Sequence, residues 1–147
     1  MFNKLFRSKE FQLIGLILLF SLLLVACGSQ QTDPPITDKD WQWSEMVETE
    51  PASQSLVPNP ENYLLRLAPD GSLSIKADCN MAGGSYTLDN GVLSIELGPS
   101  TMAYCGEESL DQLFLGFLSS VESSSIQDGQ LLLELKNGAG QMTFNEG

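Results

Sequence analysis

Ser85-Tyr86-Thr87-Leu88-Asp89-Asn90-Gly91-Val92-Leu93-Ser94-Ile95-Glu96-Leu97 decides the fold. On either side of Asn90-Gly91 the chain is rich in β-formers, and Leu93 and Ile95 alternate with polar residues. That period of two is the mark of a strand with one buried face. An Asx-Gly pair supplies the positive φ angles that a tight hairpin requires. The same grammar recurs at Asp70-Gly71, Asp128-Gly129 and Asn137-Gly138. These turns predict strands at about Tyr63 to Ala68 with Ser72 to Lys76, Ser85 to Leu88 with Val92 to Leu97, Ser124 to Gln127 with Leu131 to Lys136, and Gln141 to Phe144. Trp41-Gln42-Trp43-Ser44-Glu45-Met46 adds a short first strand. Its Trp41 and Trp43 share one side, as core residues or as ligand-facing aromatics at a barrel mouth. Glu48 to Asn62, with Pro51, Pro58 and Pro60, reads as an irregular surface loop.

One segment departs from this rhythm. Leu110, Leu113, Phe114, Phe117, Leu118 and Val121 follow helical spacing, and Ser109 with Gln112 fits a capping box. Gly116 within the helix suggests a close backbone approach. The expected fold is therefore mainly β (α+β): a strongly curled antiparallel sheet or small β-barrel of about eight short strands with one amphipathic helix. A Greek-key sandwich is the alternative.

Upstream, Lys4, Arg7 and Lys9 precede an apolar run, Leu13 to Val25, which ends at Leu24-Val25-Ala26-Cys27. The run suits a secretory signal core of ~7 to 15 residues and falls short of the ~20 that span a bilayer. The four-residue pattern resembles a bacterial lipobox, which implies cleavage before Cys27 and acylation of that cysteine. The expected organisation is residues 1–26 as lipoprotein signal peptide, 27–40 as lipidated cysteine and flexible tether, and 41–147 as one domain. The expected location is the bacterial cell envelope, anchored on the extracytoplasmic side, in the outer membrane if the cell has one.

The chain carries 7 Lys and Arg against 19 Asp and Glu and no histidine. Lys4, Arg7, Lys9 and Glu10 leave with the signal, so 4 cations face 18 carboxylates, a net charge of −14. Such a surface repels phosphate backbones, which excludes nucleic acid as a partner. Without histidine the commonest general base, the Ser-His and Cys-His arrangements and imidazole metal sites are unavailable. No metal, no catalytic residue and no cofactor beyond the covalent lipid on Cys27 is expected. With Cys27 assigned to lipid, Cys79 and Cys105 remain in an oxidising compartment and are expected to form a disulfide. Free thiols or a two-thiolate metal site are the alternatives.

Asp78-Cys79-Asn80-Met81-Ala82-Gly83-Gly84-Ser85-Tyr86 and Ser100-Thr101-Met102-Ala103-Tyr104-Cys105, in that order before an acidic residue and the amphipathic helix, resemble the META domain / HslJ-like bacterial lipoprotein family. The resemblance spans about Trp41 to Phe144; Tyr104 departs from the small or basic residue expected there. It implies a one-domain, mainly antiparallel β-fold in envelope lipoproteins loosely linked to stress, with no established catalytic residues. The motif residues Asp78, Asn80, Gly83, Gly84, Tyr86, Thr101 and Met102 are read as structural or binding. Gly83 and Gly84 would allow a sharp bend, Asn80 would hydrogen-bond that bend, and Thr101 and Met102 would serve as cap and core. The expected function is that of a non-enzymatic, membrane-anchored module that binds an envelope protein or a small ligand. A lipocalin-like carrier and a histidine-free hydrolase are the competing readings.

Overall fold

The computed structural model describes residues 35–147. Nine strands run in chain order: β1 (Asp40–Thr49), β2 (Ala52–Leu56), β3 (Tyr63–Leu67), β4 (Ser72–Ala77), β5 (Asn80–Asp89), β6 (Val92–Ser100), β7 (Val121–Gln127), β8 (Gln130–Leu135) and β9 (Gly140–Glu146). Among the described residues one α-helix, α1 (Asp111–Leu118), lies between β6 and β7. All pairings are antiparallel, and β1 meets β9 to close β1 and β3 to β9 into an eight-stranded barrel, with β2 attached outside. Closure removes the free edges of the barrel itself, which an open sheet of these strands would expose. The expected barrel is the observed one, and all eight expected strands are present.

The turns follow the Asx-Gly grammar. Asn90, Asp128 and Asn137 and the glycine after each have positive φ; at Asp70-Gly71 only the glycine does, and the Asp70 carboxylate accepts from the Ser72 amide at 2.9 Å. One expectation fails. Glu48 to Asn62 is not one irregular loop: β1 continues to Thr49 and β2 pairs with it from Glu45↔Leu56 to Thr49↔Ala52. Pro51 and Pro58 bracket β2 without entering it, so they bar only their own positions from the ladder. The packed chain also begins before Trp41, since Ile36 is buried and its carbonyl accepts from Trp41 Nε1 at 2.8 Å. Cys27, the signal segment and the first part of the expected spacer lie outside the described residues.

The barrel interior is filled by alternating side chains, among them Trp41, Leu65, Leu67, Ile75, Leu93, Leu131, Leu133, Met142 and Phe144, each 2% exposed or less. The wall is weakest between β6 and β7, where Val92↔Ser123 is the sole registered pair and the Ser124 amide adds one bond to the Gly91 carbonyl. At the end of the barrel where β6 stops and β7 starts, α1 closes the opening. Phe114 and Leu118 are fully buried; Leu110, Leu115 and Phe117 are partly buried. Four helical expectations change. Leu113 is 54% exposed, and Val121 belongs to β7. The capping box does not form: Ser109 Oγ accepts from the Asp111 amide, Gln112 donates to the Asp111 carboxylate, and the Leu110 amide donates to Tyr63 Oη at 2.9 Å. Gly116 faces open space, with nothing within 4 Å of where a Cβ would stand, so it marks no close approach.

Candidate functional site

Asn80 is the first residue of β5 and is 1% exposed. An amide buried this deeply must find partners for both ends, because an unpaired one costs ~1 to 3 kcal/mol. Its partners all lie on the segment that leads into α1. Nδ2 approaches the Ala103 carbonyl at 3.0 Å, Asp111 Oδ2 at 2.8 Å and Cys105 Sγ at 3.3 Å. Oδ1 accepts from the Ala103 amide at 2.8 Å and from Thr101 Oγ1 at 3.0 Å. Thr101 Oγ1 in turn accepts from the Met81 amide at 2.9 Å, and the Cys79–Cys105 disulfide ties the same two segments beside it. Asn80, Thr101, Cys79, Cys105 and Asp111 thus form one knot that lashes residues 101–111 to the barrel.

Asp111 is 8% exposed. Burial acts to raise the pKa of its carboxyl, but hydrogen bonds from Gln112 and Asn80, with smaller help from the Gln112 amide and Ser109, outweigh it and hold the group below its ordinary value.

Asn80, Gly83, Gly84 and Met102 are placed differently from expectation, whereas Asp78 and Tyr86 make structural bonds. Asn80 does not brace its own bend; it reaches across to residues 101–111. Gly83 and Gly84 lie within β5, where the register with β6 shifts, and they make no turn. A Cβ on Gly84 would run into the Glu96 carbonyl oxygen, so glycine is required there for close strand approach; a Cβ on Gly98 in β6 would make only a tight 3.2 Å contact with the Gly83 carbonyl oxygen, and one on Gly83 would fit. Asp78 has φ 57° in the β4–β5 turn and uses its backbone amide, which donates to the Asn62 carbonyl at 2.7 Å. Tyr86 Oη donates to the Ala68 carbonyl at 2.7 Å and pins the β3–β4 hairpin to β5; burial, then Asp70 and Asp38, push its pKa up. Met102 is not core: it is 86% exposed, because the knot grips the backbone on either side of it and turns its side chain outward. Tyr104 is also exposed.

Phe114 brings the helix to Trp43. Their rings stack with centroids 5.1 Å apart, and Tyr63 packs edge-on against both. The outer side of this aromatic cluster floors a cleft of about 170 Å³ between the β1–β2 hairpin and α1, lined by Trp43, Met46, Glu48, Ser55, Leu56, Val57, Leu110, Leu113 and Phe117. Leu56, 79% exposed, and Leu113 form its rims. Trp43 is therefore both core and cleft floor. Trp41 is not among the lining residues; it is buried within the barrel, with Lys39 Nζ 5.6 Å from its ring centroid. Sequence reading missed Leu56 and Val57 because β2 was hidden among prolines. Its only clue was one large apolar residue ending the polar stretch Ala52-Ser53-Gln54-Ser55. Among the described residues no three His, Cys, Asp or Glu side chains gather as a metal site would need.

Comparison with known proteins bears on the fold and the family. The chain is similar to a protein from Burkholderia xenovorans solved by NMR, at 24% identity and TM-score 0.62, covering 81% of this chain and 94% of that one. It is similar also to a DUF4847 family protein from Bacteroides vulgatus, at 9% identity and TM-score 0.57, covering 75% and 93%. A third structure, likewise an NMR structure, matches at 18% identity and TM-score 0.55, covering 75% and 90%. No curated protein matches the chain at a significant level. The META domain profile matches residues 34–146, which takes in the whole barrel, the Asn80 knot and the cleft, and the chain belongs to the META domain family.

Proposed function

We propose that the protein is a bacterial envelope lipoprotein, held at a membrane by acyl chains on Cys27, whose META domain is a non-enzymatic binding module acting under envelope stress. The observation that carries the binding role is the cleft between the β1–β2 hairpin and α1. It places Leu56 and Leu113 in solvent over an aromatic floor, while the barrel interior beneath is filled by side chains. A filled interior favours recognition on the outside of the barrel over lipocalin-like carriage within it. At about 170 Å³ the cleft is smaller than the ~300 to 1,000 Å³ of typical small-molecule sites, which favours insertion of protein side chains. The lipobox and the signal-length apolar run support the anchor. The absence of histidine from the sequence supports a role without catalysis.

Two experiments test this reading. Radiolabelled palmitate should label the protein and fail to label Cys27→Ser; undiminished labelling of the variant contradicts the anchor. A photo-crosslinking residue placed at Leu113 in intact cells should give discrete adducts, whereas one at Leu88, on the hairpin at the other end of the barrel, should not. Equal labelling from both positions contradicts a binding role for the cleft.

A further inference from the structure

We infer that the cleft receives an extended apolar segment of a second protein, cationic at its ends, which adds as a strand to the free edge of β2; this rests on the binding role proposed above and names its partner. Val57 N donates to Ser44 O, and antiparallel ladders alternate, so Ser53 and Ser55 direct their backbone groups to β1. Ala52, Gln54 and Leu56 then turn their N–H and C=O groups away from it. Among the described residues no strand pairs on that side. Edges of this kind are usually blunted by short length, proline, inward charge, lysine or a bulge. β2 is short and flanked by Pro51 and Pro58, which limits the available edge to Ala52–Leu56, but within those five residues it carries no charge, no lysine and no bulge. A strand laid there brings alternate side chains to the cleft mouth, where Trp43, Met46, Leu113 and Phe117 offer apolar surface. Main-chain bonds with a side-chain pocket beside them are the elements of strand-addition recognition.

Charge selects the partner's sign. Glu48 lines the cleft, Glu45 and Glu50 sit on the same hairpin, and Glu107 and Glu108 lead into α1. No lysine or arginine occurs from Asp40 to Leu65 or from Ala77 to Leu135, the two stretches that build the cleft walls. Of the four cations downstream of Cys27, Lys39 is paired with Glu146 and Arg66 with Asp40, Lys76 donates to the Glu61 carbonyl, Lys136 reaches the Ser119 carbonyl at the end of α1, and none lines the cleft. An apolar strand with lysine or arginine at its ends therefore meets an acidic rim with no opposing cation, which speeds encounter and fixes orientation.

The test uses the full chain in detergent and a fluorescein-labelled synthetic peptide of alternating valine and threonine around one phenylalanine, with lysines at both ends. Fluorescence anisotropy should show binding at low salt that is at least roughly 10-fold tighter than for the same peptide with glutamates at its ends. Methylation of alternate peptide nitrogens should weaken it by roughly 10-fold or more, as should Gln54→Pro, which removes an outward N–H and no backbone bond to β1; Gln54→Ala, which like it loses the Gln54 Nε2 bond to the Glu45 carboxylate but keeps the outward N–H, should bind as the parent does. Leu113→Lys, on the opposite wall and exposed, should abolish it without touching β2. Binding by the glutamate-ended peptide at equal affinity, or indifference to both methylation and Gln54→Pro, overturns strand addition. A solvatochromic apolar dye separates the two levels. Dye binding lost in Leu113→Lys with no peptide binding leaves the cleft a binding site and overturns this partner; silence from both probes removes both.

Discussion

The barrel wall and the segment that caps it, residues 101–120, are held by different means. In the wall most strands meet a neighbour close in sequence through a turn of two or four residues, and backbone ladders do most of the binding. β3, β4, β5 and β6 follow one another in this way, as do β7, β8 and β9. The cap has one short helix and an exposed loop, and side chains distant in sequence hold it: Asn80 and Cys79 at one end, Trp43, Tyr63 and Phe144 over Phe114 at the other. A ladder spreads its stability over many equivalent bonds, whereas the cap concentrates it in a few named contacts. Single substitutions should therefore separate the two regions.

The largest effect is expected at the aromatic contact. Phe114→Ala removes a fully buried ring and should lower unfolding free energy by about 3 to 5 kcal/mol in urea denaturation. A loss below 1 kcal/mol would mean that the cap adds little to the wall. Replacing Cys79 and Cys105 together by serine opens a crosslink of sequence separation 26 and should cost about 3 to 4 kcal/mol on the chain-entropy account, read as a lower Tm by calorimetry. Asn80→Ala should cost about 2 to 3 kcal/mol, since it strands the Ala103 amide and carbonyl and the Asp111 carboxylate near the barrel end. Asn80→Asp should be worse, because it sets a second carboxylate against Asp111.

Two smaller effects sharpen the contrast. Gly116→Ala should stabilise by about 0.5 to 1 kcal/mol, because the site is helical, exposed and open around the new methyl. The pH dependence follows from the lowered pKa of Asp111. Its folded form holds the carboxylate better than the unfolded chain does, so it contributes stability above about pH 4, the ordinary aspartate value, which is lost as pH falls through the lower folded value. Asp111→Asn should therefore differ most from the parent near neutral pH, and the difference should shrink on acidification in denaturant titrations.

The same contrast explains what sequence reading could and could not reach. Wall strands were legible because Asn90-Gly91 or Asp128-Gly129 reports its own turn, and Leu93 and Ile95 report their own face. β2 was not, since Ala52-Ser53-Gln54-Ser55-Leu56 is exposed along its whole length and shows no apolar alternation. Phe114 and Leu118 were legible as the buried stripe of a helix. Met102 was misread as core, and Gly84 as a bend, because each role depends on what lies opposite: the knot at residues 101–111 for one, the Glu96 carbonyl for the other. Asn80 could be singled out by motif, yet its partners lie 21 to 31 residues away, a distance periodicity does not encode. The cleft was hidden for the same reason, since one wall is β2 and the other is the cap.

The central claim is that Asn80 holds the cap to a wall that is otherwise self-sufficient, and thereby builds the α1 side of the cleft. Native-state hydrogen exchange on Asn80→Ala, with the disulfide intact, tests it most directly. The account predicts that amides of residues 101–120 lose protection together while those of β3, β4 and β8 keep theirs. Equal loss across cap and wall, or unchanged protection in residues 101–120, would contradict it.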